Sequence, residues 1–191
     1  MNNAPKDNGE ELLLLIEGCK TEKREAQHRL FKMFYGRMFA ICMRYAANED
    51  EAQDMLNEGF MKIFANIGNY RDEGSFESWL KRIMVNAAID YRRKYRTLVS
   101  NVEYSEISET IADSGSENEA LSKMSADELI RMIQALPPMS QTVFNLFVFE
   151  GYSHTEIAET LGIKEGTSFW HLNNARNILK DKIIKQKGYG R

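Results

Sequence analysis

The chain has 191 residues, of which 43% are hydrophobic and 28% are charged, a composition that fits one or two small globular domains with real cores. No apolar run approaches the roughly 20 residues that a membrane-spanning helix needs. Residues 10–15 carry acids, whereas a signal peptide begins with basic residues followed by an apolar run. We therefore expect a cytoplasmic protein that is not inserted in a membrane.

The sequence offers no candidate for catalysis or for metal binding. Cys19 and Cys42 lack a CxxC partner, so we interpret them as packing residues. The histidines, His28, His154 and His171, have no acids or cysteines at ligand spacing. A Gly-rich phosphate loop, an HExxH motif and a nucleophile with an ordered base are also missing. We expect neither a cofactor nor an enzymatic activity.

The net charge of −3 is distributed unevenly along the chain. Residues 1–21 carry −2, residues 22–96 and 129–191 each carry +3, and residues 97–128 carry −7. The acidic segment also contains Ser-Gly-Ser and has much less apolar periodicity than its neighbours. These properties are typical of a linker rather than of a core.

Long helical patterns fill the two basic blocks. Proline occurs only at Pro5, Pro137 and Pro138, and no segment shows the alternation of a strand. The sequence therefore predicts an all-α fold with two small helical domains, residues 10–96 and 126–186, joined by an acidic flexible linker at 97–125. The C-terminal domain is predicted to contain a helix-turn-helix.

In the first domain Thr21 is predicted to cap one helix and Asn48 a second. The first has apolar residues at steps of three and four from Leu30 to Tyr45. The second buries Ala52, Met55, Leu56, Gly59, Phe60, Ile63 and Phe64. Its opposite face carries Asp54, Asn57, Glu58 and Lys62. An irregular polar loop, residues 66–75, follows.

A third helix is predicted from Phe76 to about Arg96. Its apolar stripe consists of Phe76, Leu80, Ile83, Ala87 and Tyr91, and a second stripe consists of Arg82, Asn86, Asp90 and Arg93. The two stripes lie on different faces of the helix, so they cannot both be buried. Residues 81–96 contain six basic side chains and one acid, a concentration of charge suited to the phosphates of a nucleic acid.

Residues 153–167 have the pattern of a helix, a tight turn and a second helix, which places a helix in the major groove of DNA. Ser153 and Glu156 form a capping box in which each side chain bonds the other's backbone N–H. Gly162 is suited to the left-handed conformation that ends a helix. Ala158 is small enough for two helices to cross closely.

Three motifs in this order resemble a bacterial sigma-70 family sigma factor of the extracytoplasmic-function group. They are DMLNEGFMKI at 54–63, FESWLKRIMVNAAIDYRRK at 76–94, and Leu136-Pro137-Pro138 followed by the helix-turn-helix. The resemblance covers roughly residues 25–95 and 125–185 and concerns the two domains called region two and region four. It implies a subunit that binds core RNA polymerase, recognises promoter DNA and opens the duplex at the minus-ten element. An anti-sigma factor, sometimes anchored in a membrane, is a further partner that it implies.

The resemblance also implies a role for particular residues. Polymerase binding falls on Asp54, Asn57, Glu58 and Met61, with Met55 or Met61 as an apolar anchor. Contacts to the minus-ten element fall on Asn69, Tyr70, Arg71, Arg82, Asn86, Arg92 and Arg93. Contacts to the minus-thirty-five element fall on Lys164, Thr167, Trp170, His171, Asn173, Asn174 and Arg176.

Several alternatives stay open at this point. Tyr70 either stacks on an unpaired base or covers the end of the core, and helical spacing does not decide whether Trp79 is buried. The recognition helix departs from the family because aromatic residues and amides replace its usual cations, so Phe169 and Trp170 form either a DNA-reading surface or a protein-docking patch. The competing function is a helix-turn-helix regulator that binds duplex DNA without polymerase.

Overall fold

The computed structural model describes residues 7–71, 74–99 and 125–186, with side chains at 9–71, 74–94 and 125–185. All regular elements in these ranges are helices. The backbone divides into two compact units, residues 1–91 and 92–191. Most of the predicted linker, residues 100–124, lies outside the described residues.

The first unit is built from α1 (Asp7–Lys20), α2 (Arg24–Tyr45), α3 (Glu49–Asn66) and most of α4 (Phe76–Val99). α3 begins as predicted, because the Asn48 side chain accepts from the N–H of Glu51 at 2.9 Å. A short 3-10 turn, Ile67–Asn69, follows α3 directly, so the predicted irregular loop is partly helical. Ile67 is buried and fixes this turn to the core.

The prediction for Thr21 was wrong. α2 begins at Arg24, and the Thr21 hydroxyl instead donates to carbonyls at the end of α1, those of Glu17 and Gly18. Glu22 takes a positive φ of 56°, and the N–H groups of Glu22 and Lys23 bond to the carbonyls of Cys19 and Gly18. This pair of bonds is the Schellman ending of a helix, formed here without the usual glycine.

The core of the first unit is made by the apolar stripes of its helices. All six of the residues from Ala52 to Ile63 that were predicted to be buried on α3 are buried, whereas Phe64 is only half-buried. On α4, Phe76, Leu80, Ala87 and Tyr91 are buried and Ile83 is half-buried. Cys19 and Cys42 are free thiols within this core, as expected, and burial raises their pKa values to about 11 and about 12.

The second unit contains α5 (Ala126–Gln134), α6 (Pro138–Val148), α7 (His154–Leu161) and α8 (Glu165–Gln186). Ser125 and Glu128 form a capping box at the start of α5, and Pro138 occupies the first position of α6. Met132, Ile133 and Leu136 pack against Ala175 and Leu179 of α8. Among the helices described here, none is long and apolar enough to cross a membrane.

α1 and α2 approach closely at Gly18. A Cβ added there would lie 2.6 Å from the Cβ of Ala26, whereas a Cβ added to Gly36 on α2 would meet nothing within 4 Å. Alanine is ordinarily a better helix former than glycine by about 1 kcal/mol. At Gly18 the overlap outweighs that gain, because the Ala26 methyl cannot move without moving the backbone.

We therefore expect Gly18→Ala to lower the free energy of unfolding by about 1–3 kcal/mol. The matched variant Gly36→Ala is expected to raise it by about 0.5–1 kcal/mol. Urea unfolding followed by Trp79 fluorescence, in a Trp170→Phe background, measures both. Stabilisation by both alanines would contradict the close crossing.

Candidate polymerase and DNA interfaces

One face of α3 presents the side chains that were predicted to bind polymerase. Asp54, Asn57 and Met61 are exposed, and Glu58 is half-buried. Met61 is 72% exposed, whereas Met55 is fully buried, so only Met61 is available as an apolar anchor. The face therefore consists of acids and an amide around one exposed thioether.

Hydrogen bonds hold two members of this face, one directly from a neighbouring helix and one through Gln53 of α3. The Tyr91 hydroxyl on α4 donates to Asp54 Oδ2 at 3.3 Å. On the other side, the Tyr35 hydroxyl on α2 donates to Gln53 Oε1 at 3.0 Å, and Gln53 Nε2 donates to Asn57 Oδ1 at 3.2 Å.

The segment after α3 carries the first group of residues expected at the minus-ten element. Asn69 and Arg71 are exposed. The Tyr70 ring is half-buried, with its centroid 5.0 Å from that of Phe76 and 5.5 Å from that of Trp79. The Tyr70 hydroxyl donates to the Gly74 carbonyl at 3.0 Å. Tyr70 and Trp79 thus both cover the end of the core while keeping part of each ring at the surface.

The polar stripe of α4 is exposed along its length. Arg82, Asn86, Asp90 and Arg93 are exposed, and Arg92 is half-buried. Asp90 forms a salt bridge to Lys62 of α3, with Nζ 2.7 Å from Oδ2. The only acid of this basic stretch therefore has a cationic partner next to it.

The helix-turn-helix of the second unit has the predicted local geometry. The Ser153 Oγ accepts from the Glu156 N–H at 3.2 Å, and the Glu156 carboxylate accepts from the Ser153 N–H at 2.8 Å. The Ser153 N–H and the Ser153 hydroxyl, which donates to the same carboxylate oxygen at 2.7 Å, lower the pKa of Glu156. Gly162 adopts a left-handed conformation with φ of 67° and ends α7. α8 begins three residues later.

The residues predicted on α8 do not all face outward. Lys164, just before α8, and Trp170, Asn173 and Arg176 are exposed, and Thr167 is half-buried. His171 is buried, with Nδ1 3.0 Å from Ser140 Oγ, and the half-buried Asn174 donates to the same oxygen at 3.1 Å. His171 and Asn174 therefore point toward α6. Neither residue is fully exposed, and the DNA contacts predicted for them stay predictions.

One feature of this unit that the sequence did not predict is a stack of three rings. The His154 ring lies between Phe147 and Phe169, with centroid distances of 4.7 and 3.7 Å. Arg176 lies over Phe147, 5.8 Å from the ring centroid. Phe169 still leaves 49% of its surface exposed and Trp170 leaves 39%. Helical spacing alone could not reveal the stack, because its members lie on three different helices.

Burial lowers the pKa of His154, and the nearby charge of Arg176 lowers it further, while Glu165 opposes both. His154 Nδ1 lies 2.8 Å from Ser168 Oγ, which joins α7 to α8. Since the folded state disfavours the protonated ring, it binds fewer protons than the unfolded chain. Stability from this group is present above pH 6.5, the ordinary value for the unfolded chain, and is lost as the pH falls toward the lower folded pKa.

We expect the second unit to become less stable between pH 7.5 and pH 5.5, the range of acidification that charges an ordinary histidine. A His154→Gln variant should lose part of this dependence, although it is less stable at neutral pH. Urea unfolding followed by Trp170 fluorescence in a Trp79→Phe background measures the dependence at each pH. An identical pH slope in wild type and variant would assign it to other groups.

Among the described residues, no group of three or more histidines, cysteines and acids could hold a metal ion. The exposed surfaces described above carry charged, amide and aromatic side chains. They lie on both units.

Comparison with known proteins supports the same division. Residues 30–97 match the family model for Sigma-70 region 2, and residues 126–179 match the model for Sigma-70, region 4. Together the two matches cover well over half of the chain. The order of the two regions agrees with the order of the sequence motifs.

Several curated relatives carry sigma-factor names. The chain is 28% identical over 177 residues to the ECF RNA polymerase sigma-E factor of Haemophilus influenzae, covering 88% of this chain and 93% of that protein. It is 27% identical to the ECF sigma factor SigW of Bacillus subtilis, covering 88% and 94%. It is also 28% identical to SigE of Mycolicibacterium smegmatis, covering 82% of this chain and 61% of that longer protein.

A solved structure of the sigma factor RpoE in complex with the anti-sigma factor NepR, from Bartonella quintana, is similar at 21% identity and a TM-score of 0.46. The similarity covers 95% of this chain and 98% of that one. The two family models and the relatives favour a sigma factor over a helix-turn-helix regulator, since both regions are matched. The chain belongs to the sigma-70 family of RNA polymerase sigma factors, in its extracytoplasmic-function group.

Proposed function

We propose that this protein binds core RNA polymerase and directs promoter recognition, DNA opening and the initiation of transcription. The observation that supports this most is the match to region two and region four in one chain, each with an exposed polar surface. The protein acts in the cytoplasm and catalyses no reaction of its own. Polymerase supplies the chemistry.

Polymerase binding is assigned to the face of α3 made by Asp54, Asn57, Glu58 and Met61. Residues at these spacings lie on one side of a helix, so the four side chains can meet a single partner surface. Acids favour a basic partner and speed its encounter, while Met61 offers an apolar group for a pocket. The exposure of Asp54, Asn57 and Met61, and the partial exposure of Glu58, support this assignment.

Minus-ten recognition is assigned to the segment after α3 and to the polar stripe of α4. Opening a duplex without ATP requires unpaired bases to be bound better than paired ones, because each lost stacking step costs about 1–2 kcal/mol. Asn69 and Arg71 offer an amide and a guanidinium plane at the surface. The polar side chains of α4 are proposed to contact the phosphate backbone of the DNA, namely Arg82, Asn86, Arg92 and Arg93. Tyr70 offers at most one edge or face of its ring.

Minus-thirty-five recognition is assigned to the start of α8. Asparagine can bond bidentately to adenine, and an aromatic ring can contact a thymine methyl group. Trp170 and Asn173 take these roles, while Lys164 and Arg176 supply phosphate contacts and Thr167 adds a hydroxyl. We leave His171 and Asn174 out of the interface because both contact Ser140.

An anti-sigma factor, membrane-anchored or free, is the remaining proposed partner. The exposed ring surfaces of Phe169 and Trp170 are a suitable docking patch for it. Trp170→Ala separates the two roles of this patch. Loss of promoter use indicates DNA reading, whereas loss of the inhibitory complex alone indicates protein docking.

Run-off transcription with cognate core polymerase and genomic promoter fragments tests the proposed function. The chain is expected to bind duplex DNA weakly by itself, because each basic block carries only +3, and to give promoter-specific transcripts once polymerase is added. Tight, sequence-specific binding to duplex DNA without polymerase, and no transcripts with it, would establish the regulator instead.

Charge reversal by Asp54→Lys with Glu58→Lys is expected to reduce affinity for core polymerase by at least about tenfold, since like charges would face each other. The fold should survive, because neither side chain is buried. Co-purification at moderate salt measures the effect. Glu10→Lys with Glu17→Lys makes the same change of charge on α1 and should leave the affinity unchanged. Equal behaviour of the two double variants would rule out the face on α3.

Asn69→Ala is expected to impair formation of the open complex while closed-complex binding stays close to wild type. The reason is that contacts worth about 1–3 kcal/mol per base form only after the base leaves the stack. Permanganate reactivity of unpaired thymines measures opening, and a gel shift at low temperature measures closed-complex binding on the same promoter. Normal thymine reactivity would remove Asn69 from the site.

A further inference from the structure

Two tyrosine hydroxyls from different helices reach the polar side chains on α3. Tyr91 on α4 bonds Asp54 directly, and Tyr35 on α2 bonds Asn57 through Gln53. The two tyrosines therefore support the proposed docking face from its two sides. Neither tyrosine belongs to the set of residues that the sequence motifs assign to polymerase binding.

Burial fixes the ring of Tyr91, whereas the ring of Tyr35 is 36% exposed and is restrained by neighbouring aromatic rings. Tyr91 is 4% exposed. The Tyr35 ring lies with its centroid 5.5 Å from those of Phe31 and Phe39 on the same helix. A hydroxyl on a fixed ring has little freedom, so it can restrict the rotamers of a more mobile acceptor. Asp54 and Asn57 are exposed and would otherwise sample several rotamers.

An exposed side chain that becomes ordered on binding loses conformational entropy, which lowers the affinity. A side chain that is already ordered in the free protein loses less. The bonds are expected to add little to folding, because Asp54 is exposed and the Tyr35–Gln53 bond lies at the surface, so water can replace either lost donor at small cost. Their main effect is thus expected in affinity rather than in stability. A phenylalanine in place of either tyrosine keeps the ring and removes only the donor.

We infer that Tyr91 and Tyr35 are positioning residues for polymerase binding, which hold Asp54 and Asn57 in the rotamers that the polymerase meets. The inference rests on the proposed function, because it assumes that the face on α3 is the docking site. It adds two residues to the polymerase-binding site that do not contact the polymerase themselves. It also gives Gln53 a role, because this side chain accepts from the Tyr35 hydroxyl and donates to Asn57.

The test is a titration of the full chain, labelled at its N-terminus, with core RNA polymerase, followed by fluorescence anisotropy. Tyr91→Phe and Tyr35→Phe are each expected to raise Kd about three- to tenfold, as the loss of one preordered side chain would. Thermal midpoints should stay within about 2 °C of wild type, since water can bond to the exposed Asp54 carboxylate, and to Gln53 at the surface, once the tyrosine donor is removed. Tyr152→Phe removes a hydroxyl from the second unit and should change neither quantity.

Double variants show whether each tyrosine acts through its acceptor. Tyr91→Phe should have no further effect on Kd in an Asp54→Ala background, and Tyr35→Phe none in an Asn57→Ala background. Additive effects would overturn the inference. So would a normal Kd for both phenylalanine variants when Asp54→Ala and Asn57→Ala weaken binding. If the alanine variants themselves bind normally, the docking face is wrong and the proposed function loses this site.

Discussion

The burial of one apolar stripe on α3 determines where the first unit can bind a partner. Ala52, Met55, Leu56, Gly59 and Phe60 all turn inward, and Gly59 leaves so little room that an added Cβ would lie 2.3 Å from Met84 Sδ. Because a helix has a fixed period, burial of this stripe forces Asp54, Asn57 and Met61 outward. The exposed face, to which polymerase binding is assigned as a proposal, is therefore a geometric consequence of the core, and its chemistry can change without altering the fold.

The elements that repeat with helical period were predictable for the same reason. Burial at six positions of α3 and exposure of the polar stripe of α4 followed from spacing alone. The caps at Asn48 and Ser153 were equally predictable, since both need only a side-chain oxygen beside free N–H groups. The turn at Gly162 needed only a residue without a Cβ. The site residues themselves came from the family motifs, and their roles remain proposals.

What sequence could not predict depends on contacts between helices. The family motif placed His171 on the DNA surface, although Ser168, His171 and Ala175 follow one another at helical spacing on the buried side of α8. What the spacing could not show is its partner, Ser140 on α6. Thr21 has the residue type of a helix start, yet its hydroxyl bonds backward to α1. Tyr70 is equally suited to a base or to a core, and Phe76 and Trp79 decide how much of its ring stays at the surface.

The small positive charge of each basic block is consistent with a protein that binds DNA well only together with a partner. Few phosphate contacts release few counterions, so neither unit should hold DNA tightly by itself. Two weak modules on one chain gain affinity when a common partner presents both to the same promoter, because the second contact then forms at high effective concentration. Amides and aromatic rings on α8 suit this arrangement. In the proposed role they would discriminate between bases without adding the general attraction for DNA that a row of cations would give.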